Sequence, residues 1–240
     1  MATYVLVHGG GHGGWCYQRV AKLLRDAGHD VYTPTLTGLG ERAHLLGPHV
    51  DLDLHVQDVV AVMHYEDLHD VILVGHSYGG MVITHAADRA PDRVGRLVYL
   101  DGSTPRDGDC SLDAGPRPLF EAARAAGRVV DGVELVLFPG ADPMGNFGVT
   151  DPDDVAWMNS KLTPHPWKSF EQPLYFTNPE GLRAIPDYHI VCAASLPHRD
   201  PELMERARSA GRLWAIDTGH DLMITEPKAV ADALIEVAQR

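Results

Sequence analysis

A serine turn flanked by glycines, set between an apolar run and a helical pattern, constrains the fold of this chain most. The turn spans residues 75–79, Gly-His-Ser-Tyr-Gly, and fits the pattern Gly-x-Ser-x-Gly. It directly follows the apolar run at residues 71–74 and precedes a helix-compatible segment at residues 81–89. A sharp strand-to-helix turn of this kind strains the serine and needs small residues two positions to either side. The pattern predicts that Ser77 is a nucleophile and that the Tyr78 N–H helps to bind an oxyanion.

Short apolar runs alternate with amphipathic stretches over much of the chain. The runs lie at residues 5–7, 71–74, 97–100, 190–193 and 213–216, and a weaker candidate strand lies at 31–34. Continuous apolar runs of this length suit strands that are buried on both faces. Helical stripes lie between them, at residues 15–24, 52–63 and 230–237. We therefore predict an α/β fold with a doubly wound, mostly parallel sheet in a single domain.

The alternation breaks between about residues 103 and 186. This stretch is rich in proline, glycine and aspartate, and it is too long for a simple connection in a compact domain. It is also too apolar for a linker, because it carries the large aromatic residues Phe120, Phe138, Phe147, Trp157, Trp167, Tyr175 and Phe176. We predict a core of residues 1–102 and 187–240, with a cap inserted at about 103–186.

A glycine-rich loop, His-Gly-Gly-Gly-His-Gly-Gly-Trp, follows the first apolar run at residues 8–15. Gly9, Gly11 and Gly14 have the spacing of a dinucleotide-binding loop. That motif also needs an acid ~20 residues on, at the end of the next strand. Asp30 instead stands at the start of the candidate strand. The serine turn favours an oxyanion loop, in which the Gly10 N–H is the second donor beside Tyr78.

His220 is the candidate general base. It lies in the segment Asp-Thr-Gly-His-Asp at residues 217–221, after the last apolar run and before the final helical pattern. A loop after a late strand brings a base to the edge of the sheet where Ser77 is expected. A neutral imidazole there can take the serine proton and return it to the leaving group.

Taken together, these segments resemble the plant methyl esterase and hydroxynitrile lyase branch of the α/β-hydrolase superfamily, with its bacterial esterase relatives. The resemblance covers nearly the whole chain and is specific at residues 8–15, 36–40, 75–80 and 218–221. It implies the α/β-hydrolase fold. Lyases of this kind carry a threonine after the loop histidine and a lysine after the catalytic histidine. Here those positions hold Gly9 and Asp221, which favours ester hydrolysis.

The acid of the catalytic triad is missing from the place that the resemblance implies. In the family it follows the strand represented here by residues 190–193, where this chain has Ser195. A serine cannot offset an imidazolium charge. Asp101, directly after the run 97–100, is our first choice, although its Asp-Gly pair also makes a turn. Asp200, five residues past Ser195, and the absence of any acid beside His220 remain open, and the last would slow turnover.

We predict a serine hydrolase that cleaves a carboxylic ester through an acyl-enzyme. Its catalytic residues would be Ser77, His220 and Asp101. An apolar cap indicates a small hydrophobic or aromatic ester, with natural products among the candidates. Lyase or carbon–carbon bond hydrolase chemistry on the same fold and a non-enzymatic small-molecule receptor are the alternatives. The predicted substrate contacts are His12, Trp15, Phe147 and Trp157.

Charge and cysteine usage limit the partners. The net charge of −13 argues against nucleic acid and anionic membranes, because phosphate binding needs basic patches. The three cysteines match no metal framework, and we expect neither a metal nor a cofactor. The amino terminus lacks the features of a signal peptide, and no run of ~18 apolar residues occurs. We expect a cytoplasmic monomer or homodimer that binds a small-molecule ester.

Overall fold

A six-stranded parallel sheet forms the centre of the molecule. The computed structural model describes residues 1–113, 117–138 and 145–240. In chain order the strands of the described residues are β1 (Thr3–Val7), β2 (Asp30–Tyr32), β3 (Val71–His76), β4 (Val94–Leu100), β5 (Arg128–Val130), β6 (Val133–Val136), β7 (His165–Pro166), β8 (Asp187–Cys192) and β9 (Leu213–Ile216). The spatial order of the central strands is β2-β1-β3-β4-β8-β9, and each neighbouring pair is parallel. The other three strands form a small antiparallel sheet.

Helices cover both faces of the central sheet. In the described residues the helices are α1 (Gln18–Asp26), α2 (Leu52–Tyr65), α3 (Gly79–Arg89), α4 (Arg117–Ala125), α5 (Pro152–Asn159), α6 (Lys168–Glu171), α7 (Pro179–Ala184), α8 (Pro201–Ser209), α9 (Leu222–Thr225) and α10 (Pro227–Ala238). Residues 4 and 6 of β1 pack into one apolar cluster with α1 and α10, and residues 5 and 7 pack into a second cluster with α2 and α3. Successive side chains of a strand point to opposite faces, so this division shows a sheet buried on both sides.

The predicted α/β fold with a doubly wound parallel sheet is confirmed. One difference concerns the helix expected at residues 15–24, which begins as a short 3₁₀ turn, Gly14–Tyr17, and becomes α-helical only in α1. The Gly14 N–H donates to Thr35 Oγ1 over 2.8 Å, which draws the start of this segment toward the loop after β2. None of the helices in the described ranges is both long and apolar enough to cross a membrane.

The segment between β4 and β8 contains α4 to α7 and the small antiparallel sheet. Its residues 114–116 and 139–144 lie outside the described residues. Phe170 and Trp167 of this segment are buried with the core side chains of α2 and α3. The division into a core and an inserted cap at 103–186 stays a prediction.

The register of the two middle strands sets the position of the site. In the pairing of β3 with β4, His76 lies opposite Leu100. The residues that follow, Ser77 and Asp101, therefore leave neighbouring strands at the same level. The Ser77 N–H donates to the Leu100 carbonyl over 3.4 Å, which ties the two strand ends together.

Candidate active site

Ser77 occupies the turn between β3 and α3. Its φ is 52°, in the left-handed region that side chains other than glycine rarely adopt. The Ser77 carbonyl accepts hydrogen bonds from the N–H groups of Gly80 and Ser103, both over 3.0 Å. These bonds hold the strained backbone in place, as expected for a residue whose position serves a function.

The glycines beside Ser77 are required by close backbone approaches. A Cβ atom at Gly75 would lie 2.4 Å from the carbonyl oxygen of Gly79. A Cβ atom at Gly79 would lie 2.6 Å from the carbonyl oxygen of Val7, at the end of β1. Both distances are shorter than any ordinary carbon–oxygen contact, so the two positions accept only glycine. The sequence reasoning that small residues are needed here agrees with this packing.

Asp101 hydrogen-bonds to the candidate base. His220 Nδ1 lies 2.6 Å from Asp101 Oδ2, and an imidazole N–H there donates to the carboxylate. The Asp101 side chain is 2% exposed and that of His220 is 17% exposed. The Asp101 backbone has a φ of 44°, and its N–H donates to the Ile190 carbonyl of β8 over 2.7 Å. This pairing orients the imidazole and fixes its tautomer, leaving Nε2 free to act as the base.

The second oxygen of Asp101 is held by residues from the loop after β8. Ser195 Oγ donates to Asp101 Oδ1 over 2.5 Å, and Arg199 Nη2 donates to the same oxygen over 2.6 Å. Burial alone would raise the pKa of the Asp101 carboxyl, but His220, Arg199 and Ser195 hold it well below its ordinary value. Asp101 is therefore ionised across the working pH range.

Ser195, at the place that the resemblance implies for the acid, thus contacts the candidate acid Asp101. Arg199 is the residue of this cluster that the sequence analysis missed. It is a cation four residues past Ser195, and its position in that loop was the available signal.

Asp200 does not approach His220. Its side chain accepts hydrogen bonds from the N–H groups of Glu202 and Leu203, over 3.0 and 3.2 Å, and so caps the start of α8. It also pairs with Arg106 at 3.1 Å. In this structure the carboxylate that contacts His220 is therefore that of Asp101 and not that of Asp200.

The glycine loop approaches Ser77 closely. A Cβ atom at Gly9 would lie 2.9 Å from the Cβ atom of Ser77. The backbone N–H groups of Gly10 and Tyr78 donate to no other group in the part of the chain that the structure describes. Two unused N–H groups on the two segments that meet at Ser77 are available to a developing oxyanion.

Buried histidines hold the glycine loop from both sides. From the core, His8 accepts a hydrogen bond from the Leu36 N–H over 3.0 Å and contacts the Gly9 carbonyl at 2.9 Å. From the segment between β4 and β8, His165 Nδ1 accepts from the Gly11 N–H over 3.2 Å. The loop conformation therefore depends on hydrogen bonds to residues that are distant in sequence, Leu36 and His165.

His12 and Trp15 pack against each other beside the glycine loop. The His12 ring is 1% exposed, and its two nitrogens contact the Gly10 carbonyl at 2.8 Å and the Asp221 carboxylate at 2.9 Å. Trp15 stacks on this ring, with 5.4 Å between ring centroids. Substrate binding by these two residues stays a prediction, and in this structure both nitrogens of the enclosed His12 ring are engaged by the protein.

The two aromatic residues predicted from the later segment differ in their distance from the site. Phe147 lies beside the base, with its ring centroid 6.4 Å from that of His220. Trp157 packs edge-on against Trp15 at 5.2 Å and lies under the guanidinium of Arg19 at 5.4 Å. Of these two residues, Phe147 is therefore the one in contact with the candidate base.

Other aromatic residues cover the oxyanion loop. A Cβ atom at Gly10 would lie 3.1 Å from the Phe170 ring, and one at Gly11 would lie 2.5 Å from the Phe138 ring. The Tyr78 ring stands edge-on to Phe170 at 5.3 Å, and its hydroxyl donates to His55 Nδ1 over 2.8 Å. The sequence analysis counted Phe138 among the aromatic residues of the segment but did not place either phenylalanine at the site.

Burial of histidines makes the stability dependent on pH. Burial lowers the pKa of His8 and of His76 to about 3, and it lowers the pKa of His165 well below its ordinary value. In the unfolded chain these rings titrate near ~6.5. Below that pH the unfolded state takes up protons that the folded state does not, so stability falls as pH drops from about 6.5 toward about 3.

From these three rings, at about 1.4 kcal/mol each, we expect a contribution that lowers the free energy of unfolding by roughly 4 kcal/mol between pH 7.5 and pH 5.5. His85, whose pKa burial lowers to about 4, contributes with the same sign. Urea unfolding at the two pH values measures this difference. Carboxylates with lowered pKa, such as Asp101, lose their contribution only below about pH 4 and do not enter this window. Equal unfolding free energies at the two pH values would contradict the assignment of neutral buried rings.

Comparison with known proteins places this chain in a family. The model of the alpha/beta hydrolase family matches residues 4–233. The carbendazim hydrolyzing esterase of Nocardioides sp. (strain SG-4G) is 37% identical over 243 residues, which cover 98% of each chain. An extracellular alpha/beta-hydrolase from a Paenibacillus species has a TM-score of 0.81 at 25% identity, with 98% of each chain covered.

A plant structure shares the fold. The methylesterase MES16 from Arabidopsis has a TM-score of 0.73 at 22% identity and covers 100% of this chain and 99% of its own. The resemblance inferred from the sequence motifs is thus confirmed. The chain belongs to the alpha/beta hydrolase family, and within it to the ester-hydrolysing members.

Proposed function

We propose that this protein hydrolyses carboxylic esters through an acyl-enzyme on Ser77. The observation that carries the proposal is the 2.6 Å contact between His220 Nδ1 and Asp101 Oδ2, because Asp101 lies at the same level as Ser77 on the neighbouring strand. A base oriented by a buried carboxylate, next to a serine on a strained turn, is the arrangement that activates a hydroxyl nucleophile.

The reaction has two halves. Ser77 Oγ attacks the ester carbonyl carbon while His220 Nε2 takes its proton, and the N–H groups of Gly10 and Tyr78 stabilise the oxyanion. Collapse of the tetrahedral intermediate breaks the bond to the alcohol, which leaves with the proton from His220. Water then attacks the acyl-enzyme with the same base, and the carboxylic acid is released. Asp101 stabilises the imidazolium in both halves.

The substrate class follows from the side chains around the loop. Phe138, Phe147, Phe170 and the Tyr78 ring offer apolar surface next to the proposed oxyanion donors and base. Aromatic walls with a few fixed polar groups suit a small hydrophobic or aromatic ester.

We also propose that the protein is a monomer or homodimer in the cytoplasm. Its three cysteines are all free thiols, which supports a reducing compartment.

Trapping of the intermediate tests the mechanism. A fluorophosphonate should bond covalently to Ser77 Oγ with loss of fluoride, and peptide mass spectrometry should locate the adduct on the peptide that contains this serine. With 4-nitrophenyl acetate, rapid mixing should show a burst of nitrophenol equal to the enzyme concentration if deacylation is slower than acylation. Turnover of the ester by enzyme that the fluorophosphonate has fully modified would rule out Ser77 as the nucleophile.

A further inference from the structure

The buried histidines near the glycine loop fall into two groups by their hydrogen bonding. In His8, His55 and His165, one ring nitrogen faces an N–H or O–H donor and the other faces an acceptor. For His165 the acceptor is Ser169 Oγ, which donates its own proton to the Pro166 carbonyl over 2.9 Å. A neutral imidazole, with one N–H and one lone pair, satisfies each of these three sites.

His12 is different because both of its nitrogens face acceptors. Nδ1 lies 2.8 Å from the carbonyl oxygen of Gly10, and Nε2 lies 2.9 Å from Oδ2 of Asp221. A carbonyl and a carboxylate can only accept, so both ring nitrogens must carry a proton for both contacts to be hydrogen bonds. A neutral ring would set a lone pair against one of the two oxygens.

We propose that His12 is a buried imidazolium paired with the Asp221 carboxylate, and that this ion pair positions the oxyanion loop for the reaction at Ser77. The proposal rests on the proposed function for its catalytic part. His12 is a positioning residue, since it acts through Gly10 and touches no reacting atom.

The surroundings of Asp221 call for a buried cation. The carboxylate is 0% exposed, and such a charge is costly unless it is paired. Its Oδ1 has no hydrogen-bond partner among the described residues, and His76 Nε2, 3.6 Å away, donates instead to the His220 carbonyl over 3.0 Å. Burial by itself would raise the pKa of Asp221, but the charge and hydrogen bond of His12 bring it below its ordinary value.

The remaining titratable groups near the pair supply no fixed cation. His8 and His76 are buried rings whose pKa burial lowers to about 3, and His220 is the base itself. Burial raises the pKa of the Cys16 thiol and the Tyr17 hydroxyl, so both stay neutral. The groups that face the pair are His8 on the glycine loop, Cys16 and Tyr17 on the following turn, His76 on β3, His165 on β7 and His220 on the base loop.

The ion pair connects the glycine loop, which carries the proposed oxyanion donor, with the loop that carries the candidate base. Asp221 directly follows the base His220, and the Gly10 carbonyl belongs to the residue whose N–H is the proposed oxyanion donor. The Asp221 N–H is fixed in turn by the Phe147 carbonyl over 3.1 Å. The bond from His12 to Gly10 therefore sets the oxyanion donor relative to the base.

The protonation state is measured on the resting wild-type protein, independently of catalysis. Protein labelled with ¹⁵N-histidine should show one ring with protons on both nitrogens at pH 8, where an ordinary histidine is neutral. This signal should be absent from His12→Gln, which assigns it. A His12 ring with a single nitrogen-bound proton at pH 8 would overturn the ion pair.

The catalytic role is tested with Asp221→Asn, which removes charge and keeps shape. The amide introduced there can donate to Nε2 of a neutral His12, while Nδ1–H still donates to the Gly10 carbonyl. We expect kcat for 4-nitrophenyl acetate to fall about tenfold with KM changed less than about twofold, because a neutral ring donates a weaker hydrogen bond to the Gly10 carbonyl than an imidazolium does and so holds the oxyanion donor less firmly.

Asp200→Asn, which removes an exposed carboxylate of the same kind, is the matched control and should leave kcat unchanged. An unchanged kcat in Asp221→Asn, with the doubly protonated ring lost, would overturn the positioning role. Failure of the proposed function would appear differently, as full activity of a Ser77→Ala variant while the wild-type histidine signal stays as described.

Discussion

Ser77→Ala should lower kcat for 4-nitrophenyl acetate by about 10⁵-fold, the scale on which serine hydrolases lose activity when the nucleophile is removed. The change deletes one oxygen atom from a residue that is held at a φ of 52° by the surrounding backbone. Residual turnover above the uncatalysed rate should remain, because the N–H groups of Gly10 and Tyr78 still stabilise an oxyanion formed by attack of water.

A matched serine provides the control for this measurement. Ser209→Ala removes a hydroxyl that donates to Glu205 on the exposed surface of α8, and it should leave kcat and the unfolding transition unchanged. The folded state of Ser77→Ala is checked by its thermal transition, which should match or exceed that of the wild type. Activity of Ser77→Ala within about tenfold of wild type would exclude the acyl-enzyme mechanism.

Asp101→Asn should lower kcat by about 10⁴-fold, because the amide can donate to His220 Nδ1 and so favours the imidazole tautomer that cannot accept the serine proton. It also removes the charge that stabilises the imidazolium. Arg199, 2.6 Å from Asp101 Oδ1, would then face a neutral amide across a nearly buried contact. We therefore expect a loss of stability as well as of activity.

Asp200→Asn tests the second of the two carboxylates that the sequence left open as the acid beside His220. Asparagine is as good a helix N-cap as aspartate, so α8 should persist and kcat should stay at the wild-type value. A loss in Asp200→Asn that equals the loss in Asp101→Asn would contradict the hydrogen bonding described here. In the Asp101→Asn background, Ser195→Asp returns a carboxylate to the place that the family uses, and partial recovery of kcat is the expected result.

The sequence predicts the sheet well because of the physical character of its strands. Strands buried on both faces read as continuous apolar runs, and the runs at residues 71–74, 97–100 and 213–216 fall within strands of the structure. The helix that follows the serine turn is likewise recognisable, because glycines at 75 and 79 around a serine, directly after a strand, indicate a sharp strand-to-helix turn. A strand or helix whose residues share one kind of environment therefore has a clear hydrophobic pattern in the sequence.

The acid of the triad was harder to predict because its identity depends on the path of loops. Asp101 and Asp200 both follow apolar strands at a plausible distance, and a sequence does not show which carboxylate turns toward His220. The two aspartates differ in their local hydrogen bonds. Asp200 caps the start of α8, while Asp101 accepts hydrogen bonds from Ser195 and Arg199. Neither interaction has a periodic signature.

The direction of the His12 side chain was hard to predict for a different reason. His12 lies in the glycine loop, and nearness to the loop in sequence suggested nearness to the substrate. The ring instead turns inward, because Asp221, more than two hundred residues later, offers a buried carboxylate. Side-chain direction within an irregular loop is set by such distant partners. The same holds for Phe170, which reaches Gly10 from α6.

The placement of nucleophile and acid on adjacent strands has a consequence for how activity arises during folding. Ser77 and Asp101 belong to one β3–α3–β4 unit in the middle of the sheet, whereas His220 follows β9, the last strand in the chain and the edge strand of the sheet. In synthesis from the amino terminus, Ser77 and Asp101 of the proposed triad are therefore made well before His220. The proposed triad is complete only when β9 docks on β8, so we expect a simple ester assay to report the docking of that edge strand.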